Sequence, residues 1–162
     1  MNSFKKEMVS HIESHPNDFE KLIELAISNK QPYSWRAAWL LWSCMENNDS
    51  RIQKHIEEII NILDKLKDGH QRNLINILMK MKIKDEHEGL LFDTCIKIWT
   101  RIDKQSSVRF KSFEFIVQFT KKYPDLFNEV ILLTQDKYLE TLSEGIKKST
   151  DKIIKNLNQQ GT

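Results

Sequence analysis

The stretch YSWRAAWLLWSCM, residues 33–45, has almost no polar side. On a helical period Ala38, Leu41, Trp42 and Met45 share one side, Ala37, Leu40 and Cys44 lie beside them, and only a narrow stripe through Arg36 and Ser43 is polar. A helix of this kind needs neighbours on several sides, and its paired alanines let another backbone come close. The segment is expected to be an interior helix.

The neighbours are copies of it. Stepping forward by 36 residues takes Ala38 to Leu74, Phe110 and Ile146, and Leu41 to Ile77, Phe113 and Ser149. Trp42 goes to Leu78, Glu114 and Thr150, and Met45 to Met81, Val117 and Ile153. Thirteen of these 16 positions are apolar, where a 40% hydrophobic composition gives about 6 by chance. A second set on the preceding segments keeps the same spacing: Ile23, Ile59, Cys95 and Ile131, with Ala26, Ile62, Ile98 and Thr134. HPNDFEKLIEL from His15 and YPDLFNEVILL from Tyr123 lie three periods apart, which aligns Pro16 with Pro124 and Phe19 with Phe127. Proline is tolerated in the first turn of a helix, so both copies start one.

The whole chain agrees. Its 162 residues include four glycines and three prolines, too few for sheets or loop-rich folds and sufficient for helices joined by short connections. No apolar run approaches the roughly 20 residues that span a bilayer, and the N-terminal MNSFKKEMVSHIES is amphipathic rather than signal-like. Cys44 and Cys95 both occupy apolar positions of the repeat and read as small buried thiols rather than a disulfide, which points to a reducing, cytoplasmic setting.

In order, a cap helix is expected over Ser3 to Ser14, with Phe4, Met8 and Ile12 on one face. Four helix pairs follow. The first members run near Asn17 to Ser28, Ser50 to Leu66, Glu86 to Ile102 and Pro124 to Tyr138. The second members run near Tyr33 to Met45, His70 to Met81, Ser106 to Lys121 and Ser143 to Asn158. Residues 1–162 are thus expected to form one domain: a cap (1–15) and repeats of about 16–51, 52–87, 88–123 and 124–159. The last helix, with Ile146, Ile153 and Leu157 on one side and lysines and amides elsewhere, gives the array a polar end, as though the stack were complete.

Helix pairs of this length, with an arginine near the start of the second helix, resemble HEAT-type repeats of the armadillo-like α-α superhelix. That family places an aspartate in the turn and a valine-arginine pair at the opening of the second helix. Asp103, Val108 and Arg109 match best; Trp35 and Arg36 with Ala37 and Ala38 match in part, and Arg72 matches with Asp68 displaced by two. The period is shorter than the ≈ 40–47 typical of the family, and the arginines fall 36 and then 37 residues apart. Tetratricopeptide repeats come close in length, but their Gly and Tyr positions are not filled. The resemblance implies an all-α solenoid of four helix pairs, with the second helices on the concave face.

The first helices (16–29, 50–66, 86–102, 124–140) carry 7 basic and 13 acidic residues, and the second helices (35–46, 71–82, 107–118, 143–156) carry 10 basic and 4 acidic. The net charge of +2 therefore hides two faces of opposite sign. A basic face suits an acidic protein segment first and a nucleic-acid backbone second, because no aromatic interleaving suggests base stacking. The plainer account is that these are solvated lysines and that the arginines pair with turn aspartates inside the array. Trp35 stands where the other repeats have Gln71, Ser107 and Ser143, and Trp39 where they have Ile75, Lys111 and Lys147. Positions polar elsewhere in an array are usually exposed, and Trp beside Arg is the pairing that dominates interface hot spots; the competing account packs both rings against the cap. The expected binding face is Trp35, Arg36, Trp39, Arg72, Arg109, Lys111 and Lys147.

No catalytic pattern competes with binding. His11 and His15 around Glu13 are half a metal site at most and are not HExxH, while Asp85, Glu86 and Glu88 around His87 are acids where a helix begins. There is no Gly-rich phosphate loop, no GxSxG and no zinc spacing, so no cofactor or metal is expected. Some HEAT-like proteins are DNA alkylation-repair glycosylases with Trp and Asp on the concave face, and their catalytic residues find no match here. The signature loop of adenylosuccinate lyase is absent as well.

Overall fold

Leu41, Ile77 and Phe113, three residues one period apart, are all fully buried, and so are Ile23, Ile59 and Cys95 on the preceding segments. Their burial sets the architecture in the computed structural model of the chain, which describes residues 3–160. Each repeat contributes a first and a second helical segment, joined by a short turn. The fold is all-α, and no strand occurs among the described residues.

Helix α1 (Ser3–Ser14) packs on α2 (Pro16–Ile27) and α3 (Tyr33–Cys44). Ile12 is buried and Met8 half-buried; the expectation for Phe4 lies outside the described side chains. The first segment of the second repeat is not one helix but α4 (Ser50–Gln53) and α5 (Ile56–Leu63), followed by α6 (Asp68–Met79), which packs on α3 and α5. Asp49 opens α4 by accepting the Arg51 amide at 3.1 Å, and the Arg51 guanidinium returns to it at 2.7 Å while covering the Phe19 ring at 3.4 Å. That guanidinium, first of all, holds the Asp49 carboxyl below the usual carboxylate range.

Then come α7 (Asp85–Thr100) and α8 (Ser106–Lys122). The fourth first-segment is again broken, into a 3-10 turn (Pro124–Leu126), α9 (Phe127–Leu132) and α10 (Asp136–Leu139), before α11 (Glu144–Gln160). Both breaks have a visible cause. At the first, the His55 amide bonds back to Ile52 O at 2.9 Å, an i to i+3 tightening of the helix. At the second, the Thr134 hydroxyl takes Ile131 O at 2.7 Å, and the indole of Trp99 takes Leu133 O at 2.8 Å.

The chain divides into two compact units, one through Glu88 and one from Gly89, within the first turns of α7. Both cysteines are free thiols; Cys95 is buried and Cys44 half-buried. No helix among the described residues is long and apolar enough to cross a membrane.

Candidate functional site

Helix α3 buries Ala37, Ala38, Leu40 and Leu41, which turns Trp35, Arg36 and Trp39 outward. Trp35 is 37% exposed and Trp39 36%, so each ring is partly seated and partly open. Both border a groove of about 640 Å³ within the first unit. Its walls are Met8 of α1, Leu22 and Leu25 of α2, Tyr33, Trp35, Arg36, Trp39 and Leu40 of α3, and Arg72 of α6.

Hydrogen bonds to carbonyls fix the helices that carry these side chains. Asn73 of α6 donates to Trp35 O at 2.9 Å, and Lys80 donates to Trp42 O at 3.0 Å while lying 5.1 Å from the Trp42 ring centre. The turn before α3 is held by Ser34, whose hydroxyl is buried, bonds Ser28 Oγ at 3.0 Å and accepts the Lys30 amide at 2.8 Å. His70 of α6 reaches across to α2: Nε2 lies 2.6 Å from Ala26 O and Nδ1 3.0 Å from the Gln31 amide nitrogen. A carbonyl can only accept, so Nε2 carries the proton and Nδ1 accepts from Gln31. Burial pushes the His70 pKa below its ordinary value, against the opposing pull of Ala26 O.

The expected site residues separate into two groups. Trp35, Arg36, Trp39 and Arg72 come together at the groove. The Arg36 guanidinium carbon sits 5.8 Å from the Trp35 ring centre, and among the described residues neither Arg36 nor Arg72 has an ion pair or a side-chain hydrogen bond. The other three do not join them. Arg109, expected on the binding face, is fully buried in the second unit, and its donors go to Trp99 O at 2.9 Å, Thr141 Oγ1 at 2.7 Å and Tyr138 O. The cause is register: Arg36 plus two periods is Val108, and Arg109 belongs to the buried column of Ala37 and Asn73. Lys111 pairs with Glu114 at 2.5 Å and Lys147 with Glu144 at 3.7 Å, and both lysines are half-buried.

Gln71, aligned with Trp35 and polar, is fully buried because its amide donates to Leu63 O at 2.8 Å, the last residue of α5. Polarity at an aligned position therefore did not by itself mark exposure. The groove walls Met8, Leu22, Leu25 and Tyr33 were not anticipated. For Leu25 and Tyr33 a signal existed, since the next repeat has Asn61 and Gly69 at those positions. Among the described residues no group of three or more His, Cys, Asp or Glu is placed to hold a metal ion.

All-α helical repeats spaced 36 residues apart are the mark of a helical-repeat protein. The HEAT repeat domain family matches the chain over residues 2–157, and the chain belongs to that family. Neither a curated protein nor a solved structure matches it.

Proposed function

We propose that the chain is a non-catalytic protein-interaction module that captures an acidic partner protein at the α3–α6 face of its first unit. The observation that carries the reading is the pair Arg36 and Arg72, two cations without an ion pair among the described residues, on the rim of a groove walled by Trp35 and Trp39. Guanidinium groups bind carboxylates through two parallel hydrogen bonds, and half-seated tryptophans supply apolar area at little entropic cost. HEAT repeats as a class serve as interaction scaffolds, which supports the same reading.

The test is affinity capture from a cell lysate with wild type against the Arg36→Glu, Arg72→Glu double variant, with and without nuclease. An acidic protein that the variant loses and nuclease leaves in place is the expected result. Retention abolished by nuclease would replace the protein with a nucleic-acid backbone. Equal retention by both proteins would remove the arginines from the site. Trp35→Ala is expected to weaken capture with the helical circular dichroism unchanged.

A further inference from the structure

The groove's volume of about 640 Å³ lies within the ~300–1,000 Å³ of sites that enclose a small ligand, room for a few residues of chain. Its lining is mostly apolar, with Leu22 buried and Leu25 and Trp39 part-exposed, and Arg36 and Arg72 add positive charge to it. The bond between Asn73 and Trp35 O joins the residues next to Arg72 and Arg36, so both arginines spring from neighbouring helices beside one fixed crossing point. Packed helices lie about 8–10 Å apart. Two residues of extended chain cover about 7 Å, and residues two apart lie on the same side.

Resting on the acidic-partner reading above, we propose that the occupant is a short linear segment of the partner protein. It seats one large apolar side chain among Leu22, Leu25 and Trp39, and presents two carboxylates, two residues apart, to Arg36 and Arg72. The apolar side chain supplies affinity, and the paired guanidinium groups set direction and register. A segment with the acids but no apolar residue fills only the rim, and one with the apolar residue but amides for acids leaves both arginines without a counter-charge.

The experiment titrates the full chain with acetylated ten-residue peptides free of tryptophan, so that emission reports the protein's own indoles, and repeats each titration by calorimetry. The parent peptides carry Leu followed by two Glu, two residues apart, in a Ser/Gly background; controls replace both Glu by Gln, or Leu by Ser. A parent peptide is expected to bind, both controls to bind about 10-fold or more weakly, and Arg36→Glu or Arg72→Glu, each folded by circular dichroism, to weaken it by about 10-fold or more. If no peptide binds while arginine-dependent capture of an acidic protein persists, the linear segment is wrong and the acidic-partner reading stands. If the Gln peptide binds as tightly as its parent, both fall. A dimer in sedimentation that Arg36→Glu dissociates would put a second copy of the chain in the groove and overturn the proposal.

Discussion

Arg109 and Arg36 stand one residue apart in register, which is about 100° around a helix, and that angle decides their fates. Arg36 faces the groove; Arg109 is buried against Trp99, its guanidinium carbon 5.1 Å from the ring centre. One of its three acceptors, Trp99 O, belongs to the last turn of α7, where the helix dipole favours a cation, and another, Tyr138 O, to the one-turn α10. Burial pulls its pKa down, yet a guanidinium stays charged in a protein. Arg109→Ala would strand the buried Trp99 carbonyl and the half-buried Tyr138 carbonyl, while exposed Thr141 can turn to water, and is expected to cost about 3 kcal/mol in urea unfolding, as breaking a buried charged network does. Arg109→Lys, with a single nitrogen for three directions, should recover only part of that. A loss below about 1 kcal/mol for Arg109→Ala would show the network to be dispensable. His70 yields a prediction in pH. Its pKa in the fold lies below the unfolded value, so the unfolded chain binds more protons in the window between them. The stabilisation from neutral His70 is then complete above about 6.5 and is lost as pH falls below it. His70→Gln should flatten that slope when urea midpoints at pH 7 and 5.5 are compared; an unchanged slope would assign it to other groups.

At the scale of the element, α3 owes its place to one column of side chains. Leu41 is fully buried, and Leu41→Asp puts a carboxylate where it has no partner, a cost of several kcal/mol that exceeds what a single helix pair can absorb. The variant is expected to lose helical circular dichroism; a folded Leu41→Asp protein would break the repeat alignment itself. A smaller effect belongs to α4, whose four residues depend on Asp49 as N-cap. Asp49→Ala should cost about 1–2 kcal/mol in thermal or urea unfolding. The columns were legible because burial recurs every 36 residues, from Leu41 to Ile77 to Phe113, and an apolar residue at that spacing has no other reason to be there. The break between α4 and α5 was not. Lys54 and His55 keep near-helical dihedrals, and neither Gly nor Pro marks the tightened turn. The break after α9 left more trace, since Thr134 can compete for a backbone carbonyl, but the partner that takes Leu133 O is Trp99, 34 residues earlier. Arg109 was misplaced although its register was on the page: the 37-residue step from Arg72 was itself the sign of a different face. Trp35 and Trp39 were found because they break the pattern of the other repeats, whereas Leu22 and Met8 conform to apolar faces and only three dimensions bring them to the groove.

For the whole molecule, the opposite charges of first and second helices do not translate into one binding surface. Of the cations expected on it, Arg109 is consumed inside the second unit and Lys111 and Lys147 are matched by acids within a turn, so the proposed site contracts to Arg36 and Arg72. Every residue of the groove precedes Glu88, in the first of the two units. Stability in repeat proteins is approximately a sum of repeat and nearest-neighbour terms, so damage tends to stay near where it is made. Arg109→Ala therefore separates the stability of the second unit from binding in the first. In native-state hydrogen exchange it should speed the amides of α8, α10 and the end of α7, while α2, α3 and α6 change by less than about 2-fold. The same protein should bind the acidic peptide with wild-type affinity, and should show the same weakening with salt as exposed Arg36 and half-buried Arg72 lose their attraction. Faster exchange throughout, with affinity falling in step, would mean that the array opens as one cooperative body. The groove would then be a property of all four repeats, and no variant in either unit could be read as local.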